Sequence, residues 1–126
     1  MTKKPRVLYV DDVIIPDLEE EVLQRKNPGI DLKLVCGNDL ALQEVSSAHY
    51  DAIVYDVGME VRNFYHALKF KEIQPDVVLV GISLCGESIR AKEIPEIFAH
   101  CGRTEAITFR DRELEGLLKR LGVKVE

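Results

Sequence analysis

Three aspartates stand where apolar runs stop. Asp11 and Asp12 follow Arg6-Val7-Leu8-Tyr9-Val10, and Asp56 follows Ala52-Ile53-Val54-Tyr55. Short β-branched and apolar runs read as buried strands, so each acid closes a strand. If the first and third strands are neighbours, the three carboxylates converge, and like charges raise one another's pKa unless a cation sits among them. Oxygen donors with room left for water and a phosphoryl oxygen suit Mg²⁺. Such an ion relieves the repulsion and polarises a phosphoryl group while a carboxylate attacks phosphorus. Aspartyl phosphate formation is the chemistry this arrangement fits best. Ser83 and Arg110 end two later strands and are the other candidates, Arg110 being the base expected to face the acids.

The elements that must position these residues alternate along the chain. After the first strand, Pro16 suits a first helical turn, Asp17, Glu19, Glu20 and Glu21 crowd its positive end, and Leu18, Val22 and Leu23 supply an inner face. Asn27-Pro28-Gly29 stops that helix. Ile30, Leu32, Leu34 and Cys36 alternate with Asp31 and Lys33, the pattern of a strand near an edge. Gly37-Asn38-Asp39 opens a second helix carrying Leu40, Ala41, Val45 and Ala48. A third carries Val61, Phe64, Tyr65 and Leu68 at i, i+3, i+4, i+7 spacing, with Phe64, Tyr65 and Phe70 covering core. Val77 to Ile82 is the most apolar strand, Pro95 starts a short helix ending at Cys101, and Ala106 to Phe109 is the last strand. Asp111 caps a final helix with Leu114, Leu117, Leu118 and Leu121 on one face, ended by Gly122. Five strands alternating with five helical stretches specify an α/β fold, a parallel sheet covered on both faces. Such sheets place their crevice outside the carboxyl ends of the strands, where Asp11, Asp12, Asp56, Ser83 and Arg110 fall.

Composition narrows the class. At 126 residues the chain reads as one domain spanning 1–126, and 46% apolar with 31% charged residues excludes disorder. The net charge of −5 is uneven: residues 1–60 hold 12 acids against 6 bases, residues 61–126 hold 10 against 11. No basic stripe invites nucleic acid. No apolar run approaches the ~20 residues of a membrane span, so a cytoplasmic protein is expected. Cys36, Cys85 and Cys101 are odd in number without C-x-x-C spacing, which reads as reduced core residues rather than a disulfide or zinc framework. His49, His66 and His100 lack ligand spacing. Gly81-Ile82-Ser83-Leu84-Cys85-Gly86-Glu87-Ser88 falls short of a phosphate loop because Glu87 reverses the charge of the required lysine. No G-x-G-x-x-G turn occurs.

Taken together, Arg6 to Asp12, Tyr50-Asp51-Ala52-Ile53-Val54-Tyr55-Asp56, Gly102 eight residues before Arg110 and the Leu-rich last helix resemble the receiver domain of two-component response regulators. The resemblance covers nearly the whole chain. It implies a CheY-like, flavodoxin-like (βα)5 doubly wound sheet with strand order 2-1-3-4-5. It also implies Asp56 as phospho-acceptor, Asp11 and Asp12 as the acidic pair that holds Mg²⁺, and Gly58 as donor of a metal-binding carbonyl. Ser83 takes the switch-hydroxyl position if the preceding connection is short, and Gly81 takes it otherwise. Arg110-Asp111 replaces the family's Lys-Pro; arginine keeps the charge but spreads it over a planar fork. Ile107 replaces the switch aromatic, and Glu60 the proline beyond the acceptor.

The resulting expectation is a stand-alone receiver module, not an enzyme in its own right, phosphorylated on Asp56 by a histidine kinase or phosphotransfer protein and signalling to a downstream protein target. A homodimer is left open. The departures motivate an alternative, a divergent pseudo-receiver acting as a phosphorylation-independent interaction module. A small α/β enzyme or nucleotide binder ranks last, for want of a nucleophile and base pair or a phosphate loop.

Overall fold

In the computed structural model the chain order is β1 (Arg6–Asp11), α1 (Pro16–Lys26), β2 (Asp31–Cys36), α2 (Asn38–Ser47), β3 (Ala52–Asp56), α3 (Tyr65–Ile73), β4 (Val78–Ile82) and α4 (Leu114–Arg120). The structure describes residues 4–11, 16–56, 65–82 and 114–125. The expected strand at Ala106 to Phe109 and the short helix ending at Cys101 lie outside them.

The four strands form one parallel sheet in the order β2-β1-β3-β4. β1 is central and buried along its length apart from Arg6, as its uninterrupted apolar run requires. β2 alternates exposed Asp31 and Lys33 with buried Leu32 and Leu34, the pattern of an edge strand. Strand periodicity splits the core into two layers. Leu8, Val10, Ile53 and Tyr55 pack with Ala41 and Val45 of α2 and Ala67 and Phe70 of α3. Val7, Tyr9, Ala52 and Val54 pack with Leu23 of α1 and Leu114 and Leu118 of α4.

The helices keep the expected phase in part: Leu114 and Leu118 of α4 turn inward as expected, with Leu121 packed beside them, while the other helices bury only some of their expected residues. Leu18 is 55% exposed while Leu23 is buried, and Leu40 is exposed while Ala41 and Val45 are buried. On α3 the inward residues are Ala67 and Phe70, whereas Tyr65 and Leu68 are each 48% exposed. This segment carries two apolar ladders at i, i+3 spacing, 65–68 and 67–70. Only contact with the sheet selects one, and it selects the pair in which small Ala67 lets the backbone approach and Phe70 fills the layer. Cys36 is likewise not a core residue: its free thiol is half-buried at the end of the edge strand. Cys85 and Cys101 lie outside the described residues.

Side chains tie the connections to the sheet. Gln74 Nε2 donates to the Val45 and Ala48 carbonyls at 2.8 and 2.6 Å, while its Oε1 accepts from the Tyr50 N–H at 2.9 Å. Buried Asn27 donates through Nδ2 to the Leu23 carbonyl at 2.9 Å and accepts through Oδ1 from the Glu115 N–H at 3.2 Å, binding the end of α1 to the start of α4. Gly122, at φ +90°, turns the chain after α4 in a conformation that favours glycine. No helix among the described residues is long and apolar enough to cross a membrane.

Candidate functional site

The condition on which the acidic site depends is met: β1 and β3 are neighbours, paired in parallel from Val7 opposite Ala52 to Val10 opposite Tyr55. Asp11 and Asp56 are the next residue on each strand, so their backbones end side by side at the carboxyl edge of the sheet. Asp11 is 2% exposed, one of two buried polar residues among those described. Its carbonyl accepts from the Gly37 N–H at 2.7 Å. A buried carboxylate is costly unless donors or a cation attend it, and an acidic oxygen donor beside a second acid-bearing strand end is chemistry that suits a hard divalent ion.

Asp12, Gly58, Ser83 and Arg110 lie outside the described residues, as do Glu60, Ile107 and Asp111. Among the described residues no three His, Cys, Asp or Glu gather as a metal centre; Asp11 and Asp56 are the members of the expected set whose strands the sheet aligns. In the register of β3 and β4, Asp56 is opposite Ile82 and Tyr55 opposite Gly81, with Ser83 next along the chain.

The surroundings of these strand ends are built where α2 opens, at Gly37 and Asn38 as the sequence suggests, and by Tyr55. Gly37 precedes α2 at φ +95°, where any other residue is strained, and this turn delivers its N–H to Asp11. The buried Tyr55 hydroxyl donates to Asn38 Oδ1 at 2.9 Å, and the Tyr55 ring meets Phe70 edge-to-face at 5.6 Å and 76°. The residue before Asp56 is thereby pinned to the start of α2 and to α3. No spacing rule links Tyr55 to Asn38; only an aromatic with a polar tip on an inward position hints that a partner is needed.

Acids at the opposite, amino edge of the sheet are committed to structure. Asp51 Oδ2 accepts from the Arg6 N–H at 2.8 Å, and Glu44 accepts from the Tyr50 hydroxyl at 2.6 Å. Arg6 also lies over the Tyr50 ring, 4.8 Å from its centroid. Burial first, and then the hydrogen bond to Glu44, pushes the Tyr50 phenol above its ordinary pKa.

No protein-family model and no curated protein matches the sequence. Solved structures do. The chemotaxis response regulator CheY4 of Vibrio cholerae matches at TM-score 0.68 and 20% identity over 94% of this chain and 99% of its own. A structure of histidine kinase ThkA in complex with response regulator protein TrrA matches at 0.62 and 21%, covering 94% and 98%. The receiver domain of a sensor histidine kinase from Pseudomonas aeruginosa PAO1, with a magnesium ion coordinated in its active-site cleft, matches at 0.61 and 20%, covering 95% and 99%. The strand order and these likenesses together define the class: the chain has the CheY-like, flavodoxin-like fold of response regulator receiver domains.

Proposed function

We propose that this chain is a receiver module that accepts a phosphoryl group on Asp56 from a histidine kinase or phosphotransfer protein. The observation that carries the reading is the alignment of Asp11 and Asp56 at the carboxyl ends of two paired parallel strands, on a receiver fold. Asp56 is the acceptor: a carboxylate oxygen forms the bond to phosphorus as the bond to the donor's leaving group breaks, and the leaving group takes up a proton. Asp11, Asp12 and the Gly58 carbonyl, with Asp56, would hold Mg²⁺, which when bound supplies charge neutralisation at the phosphoryl oxygens. The neighbour with magnesium in its cleft and the neighbour in complex with a kinase support these assignments by likeness. Arg110 supplies a positive charge to the modified site and Ser83 a hydroxyl. The new charge on Asp56 biases the face through which the module meets a downstream protein. The module acts in the cytoplasm, where such kinases present their phosphate.

Incubation with acetyl phosphate and Mg²⁺ followed by mass spectrometry checks the reading. The expected product carries one added phosphoryl group, absent from Asp56→Ala and from samples treated with a chelator. An adduct that persists in Asp56→Ala overturns the assignment. A chain that stays unmodified favours the second reading, a phosphorylation-independent interaction module, which Arg110-Asp111, Glu60 and Ile107 motivate.

A further inference from the structure

The outer edge of β2 is already occupied. The Asp31 N–H points toward β1, donating to the Pro5 carbonyl at 2.9 Å, so the alternate residues Ile30, Leu32 and Leu34 turn their peptide groups away from the sheet. Two side chains of α1, one turn apart, meet them. The Gln24 carboxamide donates to the Ile30 carbonyl at 2.8 Å and accepts from the Leu32 N–H at 2.8 Å. Glu20 Oε1 accepts from the Leu34 N–H at 2.7 Å. Gln24 thus offers β2 one donor and one acceptor, as a neighbouring strand does. An edge strand left uncovered is a template for pairing with another chain.

We propose that the outer edge of β2 is a strand-addition site for a second copy of this chain, held closed by Gln24 and Glu20. The occupant follows from the sequence of β2. Two copies related by a two-fold axis pair antiparallel. Centring the pair on Leu32 places Leu32 in a hydrogen-bonded pair with its counterpart and sets the Ile30 carbonyl against the Leu34 N–H, the Ile30 N–H being turned to the Asn27 carbonyl at 3.4 Å. It also places the exposed Asp31 of one copy opposite the exposed Lys33 of the other, in the non-bonded pairs where side chains come closest. Sliding the pair to the next register of the same parity sets Asp31 against Asp31, or Lys33 against Lys33. Charge therefore selects one register. Asp31 is free to take part, since its contact with Arg6 is long, 3.8 Å, and solvent-exposed. The site is independent of phosphorylation on Asp56.

The test is size-exclusion chromatography with light scattering on wild type and on Glu20→Ala/Gln24→Met, in which Met keeps the length of the stem. Up to ~1 mM chain, the range in which a small interface associates, wild type is expected to remain monomeric and the double variant to form a dimer that grows with concentration. Adding Lys33→Asp should return the double variant to monomer, and adding Asp31→Lys with Lys33→Asp should restore the dimer. Equal masses for wild type and double variant, or a dimer indifferent to Lys33→Asp, overturn the proposal. If the double variant loses its native circular dichroism, the single variants carry the same mass readout, together with amide exchange. Gln24→Met should then speed exchange at Leu32 about fivefold and spare Leu34, with Glu20→Ala the reverse. Unchanged exchange and mass in both overturn it equally.

Discussion

Each end of the sheet uses its carboxylates differently, and the difference is legible one residue at a time. Asp51 and Glu44 are spent on the Arg6 N–H and the Tyr50 hydroxyl, whereas Asp11 and Asp56 close the two strands whose ends coincide. Tyr50 offers a clean test of the structural end. Its phenol holds its proton more tightly in the folded chain than in the unfolded one, because burial and the Glu44 carboxylate both oppose the phenolate. A folded pKa raised above the unfolded value gives a contribution fully present below the unfolded pKa of about 10 and lost as pH rises beyond it. Tyr50→Phe should cost about 1 kcal/mol at neutral pH through the missing hydrogen bond. It should also make the loss of stability above about pH 10 shallower than in wild type. Urea titrations of both proteins from pH 7 to 11 check this, and parallel pH profiles would count against it.

At the scale of elements, helix phase and the closing of connections separate what local pattern encodes from what packing adds. The strands were recognisable because burial on both faces demands an unbroken apolar run, as in Val7 to Val10, and an edge demands alternation, as in Asp31 to Leu34. The inner faces of the helices were legible only in part: Leu23, Ala41, Val45, Leu114 and Leu118 turn inward as their spacing suggests, but Leu18, Leu40, Tyr65 and Leu68 are also apolar and stay exposed. Gln74 shows the second gap in local reading. Its one carboxamide satisfies two carbonyls at the end of α2 and the amide that leads into β3, although nothing in the sequence near it announces that role. Gln74→Ala leaves those groups without that partner and should lower stability by about 2 to 3 kcal/mol, seen as a reduced urea midpoint at unchanged slope. Gln74→Glu should fail to rescue it, because a carboxylate cannot donate to the Val45 and Ala48 carbonyls.

For the whole molecule the question is whether the aligned strand ends act as one site. A ligand that binds only the native state must stabilise it, by about 1.4 kcal/mol at ten times its Kd. Millimolar Mg²⁺ is therefore expected to raise the melting temperature of wild type and to leave Asp11→Asn and Asp56→Asn unmoved. Differential scanning fluorimetry over a Mg²⁺ series measures this, with NaCl at matched ionic strength as the control. Equal shifts in all three proteins would remove the acids from any metal site. What the sequence by itself determined was the succession of strands and helices and the placing of Asp11 and Asp56 at strand ends. Both are local consequences of side-chain burial and of where an apolar run must stop. What only the tertiary structure decided was that β1 and β3 are neighbours in a register that makes those two ends coincide, which of two apolar stripes of α3 faces the sheet, and that α1 reaches over to the edge of β2. Each of these depends on residues far apart along the chain, and no period or motif within a window records which distant groups will meet.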